Sequence, residues 1–230
     1  MIGRQLGRKL AAMAERAERR GPDRWLFDLW SRFYDAPWVQ RLTYRPEHDA
    51  VLRRLRGRSP RRVLDLGCGT GQLASRIRDT LPDCDVVGVD FSRGMLARAA
   101  RRAPAVHWVQ GNALQLPLRD ASCDAAVSTE AFHWFPDPLA ALRELHRVLV
   151  PNGWMLVALV NPPFEVFSHV AAETSTWIGE PFDWPTSERM RRRVEAAGFR
   201  VEAQQRILRW PLPLLLPTVL TVARRSEKPT

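Results

Sequence analysis

Three features of this 230-residue sequence predict a doubly wound α/β fold. Residues 63–71, VLDLGCGTG, pass from a buried-strand pattern (Val63, Leu64, Leu66) directly into glycines, and a helical pattern (Leu73, Ala74, Ile77, Leu81) opens at once after them. A second apolar run, residues 86–89, ends on Asp90, about 20 residues past the glycines. Strand and helix patterns then alternate to residue 223. With 45% hydrophobic residues the chain can fill one core, and no domain boundary is needed.

The loop at 67–71 carries the argument. Gly67, Gly69 and Gly71 let the backbone approach a ligand with no Cβ in the way, and the free N–H groups of the following helix point at whatever binds. A dinucleotide fingerprint requires Gly or Ala three residues after Gly69, where Gln72 stands. The pattern present, Asp65-x-Gly67-x-Gly69-x-Gly71, resembles the first motif of class I S-adenosylmethionine (SAM) dependent methyltransferases. That resemblance implies a three-layer sandwich around a seven-stranded, mostly parallel sheet with the last strand reversed. It also implies SAM as cofactor, held in part by Asp65, Gly67, Cys68, Gly69 and Gly71.

Ahead of the loop, Ile2, Leu6, Leu10, Met13 and Ala17 recur at helical spacing among arginines, ending at Gly21-Pro22. Such a helix packs on the domain or lies on a membrane surface. Trp25, Phe27, Trp30, Phe33, Tyr34, Trp38 and Tyr44 follow, and the string FDLWSRFYD resembles the stretch ahead of the SAM domain in quinone-type small-molecule methyltransferases. There, helices cover the methyl-donor site, which makes residues 1–45 an expected helical cap with Tyr34 near the donor, ahead of a methyltransferase domain over 46–230. Read without the resemblance, the aromatics are core of a helical layer.

After the loop, Asp90 stands where an acidic residue accepts from both ribose hydroxyls. Ser92 is placed to cap the next helix, and Phe91 and Met95 to pack on the adenine. Residues 106–109 read as a third strand, followed by Asn112, Ala113 and Leu114. Asn112 stands where the family carries Asp; its carbonyl can still accept from the adenine amine, without charge assistance, while Leu114 suits an apolar wall.

Residues 124–128 read as the fourth strand. Ligands meet the carboxyl ends of strands in this plan, so Thr129 to Phe135 are expected to face the transferred methyl, with Thr129 among the cofactor contacts. The string AFHWF resembles the segment after strand four in the broad family that includes trans-aconitate methyltransferase. His133 is the candidate base and Glu130 the second; a structural role for His133 stands beside that reading.

Pro138 opens a helix with Leu139, Leu142, Leu145, His146 and Leu149 facing inwards, stopped by Pro151-Asn152-Gly153. Residues 154–160 read as the fifth strand. The following Asn161-Pro162-Pro163-Phe164 imitates a motif of amino-methylating nucleic-acid enzymes, but that motif follows strand four. Residues 161–185 read as an aromatic lid, residues 187–197 as a helix ended by Gly198, and residues 199–208 and 218–223 as the final strands.

The formal charge of +10 is concentrated before the loop, where residues 1–62 hold 16 basic and 7 acidic residues, all but Lys9 arginine. Cys68, Cys84 and Cys123 form no CxxC pair and share no ligand spacing with the five histidines, so a reduced, metal-free cytoplasmic protein is expected. The longest apolar stretch, residues 211–223, holds three prolines and is too short for a membrane span. The expected activity is methyl transfer from SAM to a small apolar or aromatic metabolite, on oxygen or carbon. The alternatives are an RNA or DNA methyltransferase, suggested by charge and NPPF, and a non-catalytic SAM-binding regulator.

Overall fold

The computed structural model describes residues 44–162, 183–207 and 217–226. The basic helix expected over residues 2–17, Tyr34 with most of its aromatic neighbours, and most of the lid lie outside these residues.

Seven strands among the described residues form one sheet in the order β3-β2-β1-β4-β5-β7-β6. They are β1 (Arg62–Leu66), β2 (Asp85–Asp90), β3 (His107–Gln110), β4 (Cys123–Thr129), β5 (Leu149–Val160), β6 (Phe199–Ile207) and β7 (Thr218–Arg225). Strands β1 to β5 pair in parallel, and β7 runs antiparallel to both β5 and β6. This is the class I SAM methyltransferase sandwich, with the reversed last strand. The reversal brings Thr218, the first residue of β7, to the carboxyl edge of the parallel strands, opposite Val160.

The helices are α1 (Arg45–Arg56), α2 (Gln72–Thr80), α3 (Arg93–Arg102), α4 (Pro138–Val148) and α5 (Ser187–Ala196). Alternation along each strand divides the core. Val63, Val86, Ala125, Leu156 and Val222 meet Leu52, Leu55, Leu73 and Ile77 of α1 and α2 on one face. Leu64, Val87, Ala126, Met155 and Val157 meet Leu142, Leu145, Met190 and Val194 of α4 and α5 on the other. Each of these side chains larger than alanine contributes roughly 1.5 to 3 kcal/mol by burial. Helix α1 straddles the expected boundary at 45/46; Pro46 in its first turn and the spacing of Val51, Leu52 and Leu55 mark it in the sequence.

Several boundaries differ from expectation by a residue or more, and two of them carry a structural reason. The fifth strand begins at Leu149, and residues 150–153 bulge out of the β4 pairing, because Leu149 is opposite Cys123 while Trp154 is opposite Ala125. Asn152 takes the left-handed conformation there (φ 62°). The third strand begins one residue late, at His107, leaving Val106 buried in the turn before it.

Trp108 of β3 has its indole beneath the glycine loop, its Nε1 donating to the Ala103 carbonyl at 3.0 Å. A Cβ on Gly88 would stand 2.3 Å from that ring, and one on Gly71 2.5 Å from it. Two glycines thus make room for one indole, and the indole supports the loop. Gly88→Ala is expected to cost about 1 to 3 kcal/mol of stability by overpacking, and Trp108→Leu should recover part of that loss in the double variant. Strictly additive losses in chemical denaturation would contradict the contact.

Candidate functional site

The carboxyl ends of β1, β2, β4 and β5, with the start of β7, form the candidate site. Its first half is the loop after β1. Gly67, Gly69 and Gly71 all have positive φ (69°, 54° and 76°), the conformation that favours glycine. A Cβ on Gly67 would fall 2.4 Å from that of Ala131, whereas one on Gly69 would meet nothing within 4 Å. Gly67 is therefore required by packing, and Gly69 leaves open space in front of the loop.

Three backbone N–H groups of this loop fasten it to β2. Gly67 and Cys68 donate to the Val89 carbonyl at 2.8 and 3.2 Å, and Gly69 donates to Asp90 Oδ2 at 2.8 Å. The other Asp90 oxygen accepts from Ser92 N at 2.9 Å, while Ser92 caps α3 by accepting from Met95 N at 3.2 Å. Asp90 is thus held by backbone donors on both oxygens. Met95 is buried and Phe91 half-buried.

Asp65 lies below the loop, 1% exposed. Its carboxyl accepts the backbone N–H of Ala74, one of the first-turn donors of α2 that have no partner inside the helix. Among the described residues no donor reaches its Oδ2. Burial, and then the nearby Asp90 carboxylate, push Asp65 up to about 7. Burial likewise raises the Cys68 thiol, which makes it a packing group and a poor nucleophile.

On the far side of Asp90, the segment 111–118 forms a wall. Gly111 N donates to the Asp90 carbonyl at 3.0 Å. Asn112 Oδ1 accepts from Leu114 N at 2.9 Å, so part of the acceptor capacity expected to face an adenine closes a turn instead. Ala113 and Leu114 pack partly on the core. Arg147 of α4 holds this wall, donating to the carbonyls of Leu116 (3.0 Å) and Leu118 (2.8 Å), while Glu144 accepts from Leu116 N at 2.6 Å. Hydrogen bonding to Arg147 holds the Glu144 carboxyl below its usual range. Sequence reading missed this clamp, since its partners are 28 and 31 residues apart.

The second half of the site follows β4. Thr129 ends that strand, half-buried. Glu130 has φ 50°, rare for a residue with a long side chain, and is held there by its N–H bond to Ala158 O at 2.8 Å. The turn Phe132–Trp134 then brings His133 Nδ1 to 3.9 Å from Glu130 Oε2, both side chains about nine-tenths buried. Trp134 and Trp184 flank the imidazole at centroid distances of 5.0 and 6.2 Å, and Asp183 N donates to the His133 carbonyl at 3.2 Å.

Three residues not singled out in the sequence as site residues also belong here. Thr218 Oγ1 stands 3.5 Å from Glu130 Oε1 and 3.4 Å from Glu47 Oε1 of α1, and Glu47 is fully buried. Asn161 donates from its backbone to Pro217 O at 2.9 Å and from Nδ2 to Pro185 O at 2.6 Å. It joins the two chain ends between which residues 162–184 run. That gives the NPPF string a structural employment at its first residue. Among the described residues, no group of three or more His, Cys, Asp and Glu could hold a metal ion, and no helix is long and apolar enough to cross a membrane.

The Asp65 carboxyl binds a proton in the folded chain up to about pH 7 but releases it near pH 4 when unfolded, so the unfolded state holds fewer protons in that interval. Its contribution to stability therefore falls as pH rises from about 4 to about 7, by on the order of 4 kcal/mol. Asp65→Asn, neutral throughout, should be stabilised relative to the wild type at pH 7.5 and similar to it near pH 4. Denaturation curves whose difference between the two proteins does not change with pH would contradict a neutral buried carboxyl.

The comparisons with known proteins agree with this geometry. Residues 64–157 match a methyltransferase domain family. The chain is 34% identical over 166 residues to the demethylmenaquinone methyltransferase of Deinococcus radiodurans, covering 62% of this chain and 69% of that one. It is 36% identical over 143 residues to the malonyl-[acyl-carrier protein] O-methyltransferase of a Marinomonas species, covering 59% and 50%. The chain spans about half the length of several curated relatives it matches. In fold it superposes on the methyltransferase solved with the Haloferax volcanii Trm112 methyltransferase activator, with a TM-score of 0.70 and 26% identity, over 87% of this chain and 98% of that one. The strand order, the glycine loop and these relatives together place the chain in the class I SAM-dependent methyltransferase family.

Proposed function

We propose that this methyltransferase alkylates a small apolar or aromatic metabolite, on oxygen or carbon. The observation that carries the reading is the pairing of two unlike half-sites on one sheet edge: a glycine cradle with two carboxyls, and a buried His133–Glu130 pair enclosed by tryptophans. When bound, SAM supplies a methyl group already activated on a sulfonium. The residues present fit it. The space in front of Gly69 admits the donor's backbone-proximal part, and a cationic amino group at the loop supplies the countercharge that the unsatisfied Asp65 oxygen lacks. Asp90 accepts from the ribose hydroxyls; Phe91, Met95, Asn112, Ala113 and Leu114 border the adenine; Cys68, Gly67, Gly71 and Thr129 complete the wall.

The protein's share of the chemistry is alignment and proton removal. Fixing nucleophile, methyl and sulfur in line is worth effective molarities that reach about 10⁵ M. A hydroxyl or acidic carbon must also lose a proton, and His133 takes it, with Glu130 stabilising the imidazolium. The sequence resemblance supports assigning residues 1–45, with Tyr34, and residues 161–185 to the cover of the site; most of them lie outside the described residues. The relatives' names carry different acceptors, demethylmenaquinone and malonyl-[acyl-carrier protein], which supports a reading in which the covering segments, not the shared sheet, select the acceptor. An acceptor in nucleic acid is disfavoured because Asn161 is engaged with Pro185.

The deciding experiment is transfer of labelled methyl from SAM to a demethylmenaquinol, to malonyl-acyl carrier protein, to RNA and to a small-metabolite extract. Label in a small acceptor supports the reading; label in RNA alone, with salt-sensitive binding, overturns it. Asp90→Ala should weaken S-adenosylhomocysteine binding by roughly 1.5 to 3 kcal/mol. His133→Ala should lower kcat by about 10² while cofactor affinity stays within a few fold. Unchanged turnover in that variant would remove His133 from the chemistry.

A further inference from the structure

We infer that Arg147 and Glu144 of α4 are positioning residues that act through the wall at residues 111–118 to set the protein's preference for adenine over an oxo-purine in its cofactor. The inference rests on the proposed place of Asn112 and Leu114 beside the adenine. It begins with a complete set of hydrogen bonds. The Arg147 guanidinium carries five hydrogens, one on Nε and two on each Nη, and five acceptors meet them. Nε donates to Glu144 Oε1 at 2.8 Å. Nη1 donates to the Leu118 carbonyl at 2.8 Å and to Asp120 Oδ1 at 2.6 Å, and Nη2 to the Leu116 carbonyl at 3.0 Å and to Glu144 Oε2 at 2.7 Å. No hydrogen is left over.

This fork does for one buried residue what a neighbouring strand does in a sheet. Leu116, 4% exposed, gives its N–H to Glu144 Oε2 at 2.6 Å and takes Arg147 Nη2 on its carbonyl, so side chains one helical turn apart hold both of its backbone polar groups. The start of the wall is fixed as well. Gly111 N donates to the Asp90 carbonyl, and a Cβ on Gly111 would stand 2.8 Å from Pro117 Cδ, so the two ends pack on each other. Between them lies the turn 112–115. Among the described residues its hydrogen bonds run within the turn, from Leu114 N to Asn112 Oδ1 at 2.9 Å and from Gln115 N to the Asn112 carbonyl at 3.1 Å. Ala113 and Leu114 pack only partly on the core. The turn therefore takes its place from its fastened ends.

That place decides which base fits. An asparagine amide offers an acceptor on one side and two donors on the other, and turning it over exchanges them. Leu114 N–H selects the orientation, because only Oδ1 can face a donor, and the second lone pair of Oδ1 is left for an amino group of the ligand. A purine with an oxo group there brings acceptor against acceptor. Once the end at Leu116 is released, Leu114 N–H no longer fixes the amide, and Nδ2 can turn to meet the oxo group. Lysine at position 147 keeps the charge but gathers its hydrogens on one nitrogen, which cannot span Glu144 and the two carbonyls together.

The test compares full-length wild type with Arg147→Lys and Glu144→Gln, which break the fork from either side, and with Val194→Ala, which truncates a buried side chain of α5. Two readings are taken. In the ligand-free chain, amide exchange at Leu114 and Leu116 should speed up by about tenfold or more in both fork variants, while Ala140 at the other end of α4 stays as in the wild type. Calorimetry then gives the ratio of dissociation constants for S-inosylhomocysteine and S-adenosylhomocysteine, which differ only in the base, so effects at Asp65 and Asp90 cancel. Wild type and Val194→Ala should favour the adenosyl ligand alike, and the fork variants should lose about fivefold of that preference, the scale of one hydrogen bond. Either fork variant alone carries both readings, so misfolding of one leaves the test intact. Faster exchange with an unchanged ratio would make the fork structural only, and unchanged exchange would mean that it does not hold the turn; either overturns the inference. A Val194→Ala protein that loses the preference equally also overturns it, because general destabilisation would then suffice. A wild type with no preference faults the placement of Asn112 at the base and the inference with it, whereas a preference that the fork variants keep faults the inference alone.

Discussion

A buried carboxyl under the glycine loop, pushed up to about 7 by its surroundings, is the constraint on which the site depends. Asp65 is the penultimate residue of β1, takes a free N–H at the start of α2, and leaves one oxygen without a donor among the described residues. Around it the structure is over-determined. Gly67 cannot carry a Cβ because Ala131 is there, and Gly71 and Gly88 cannot because Trp108 is there. Asp90, the other carboxyl, is engaged on both oxygens by the loop and by the cap of α3. The cost of burying Asp65 thus falls on the folded chain alone, and the proposed cationic ligand at the loop would relieve it.

The acceptor side is built differently. Where the cofactor half relies on backbone donors, the half beyond β4 relies on side chains brought from distant parts of the sequence: Glu47 from α1, Glu130 and His133 after β4, Asn161 after β5, Trp184 before α5 and Thr218 at the head of β7. The reversal of β7 is what makes the last of these possible, since a parallel strand would begin at the opposite edge. Glu130 takes a left-handed backbone, a local strain of the kind found where a side chain must be aimed against its conformational preference.

Much of the geometry around the glycine loop was legible in the sequence because its parts are local. Glycine spacing, the acidic residue ending β2 and the Ser92 cap are all read within a few residues, and the strand and helix alternation gave the sheet. The half beyond β4 was legible only in part. His133 and Glu130 lie three residues apart, but the helix α1 was not read from the sequence, and nothing in the sequence pairs residue 47 with residue 218. The Arg147 clamp and the Trp108 support were hidden for the same reason, as contacts between segments that only the tertiary fold joins. Asn112 and the turn at residues 150–153 show the opposite limit: residue type was read correctly, but its hydrogen bonds and strand register were decided by neighbours.

The most direct measurement of the central claim is the proton balance of cofactor binding. Titration calorimetry of S-adenosylhomocysteine near pH 7, in two buffers of different ionisation enthalpy, reports protons released when the ligand's ammonium group reaches the loop. The account predicts a net release that disappears in Asp65→Asn, because the wild-type carboxyl must ionise to pair with the cation and the amide cannot. Binding heats that are the same in both buffers for the wild type would contradict it, since Asp65 would then already be charged in the ligand-free chain.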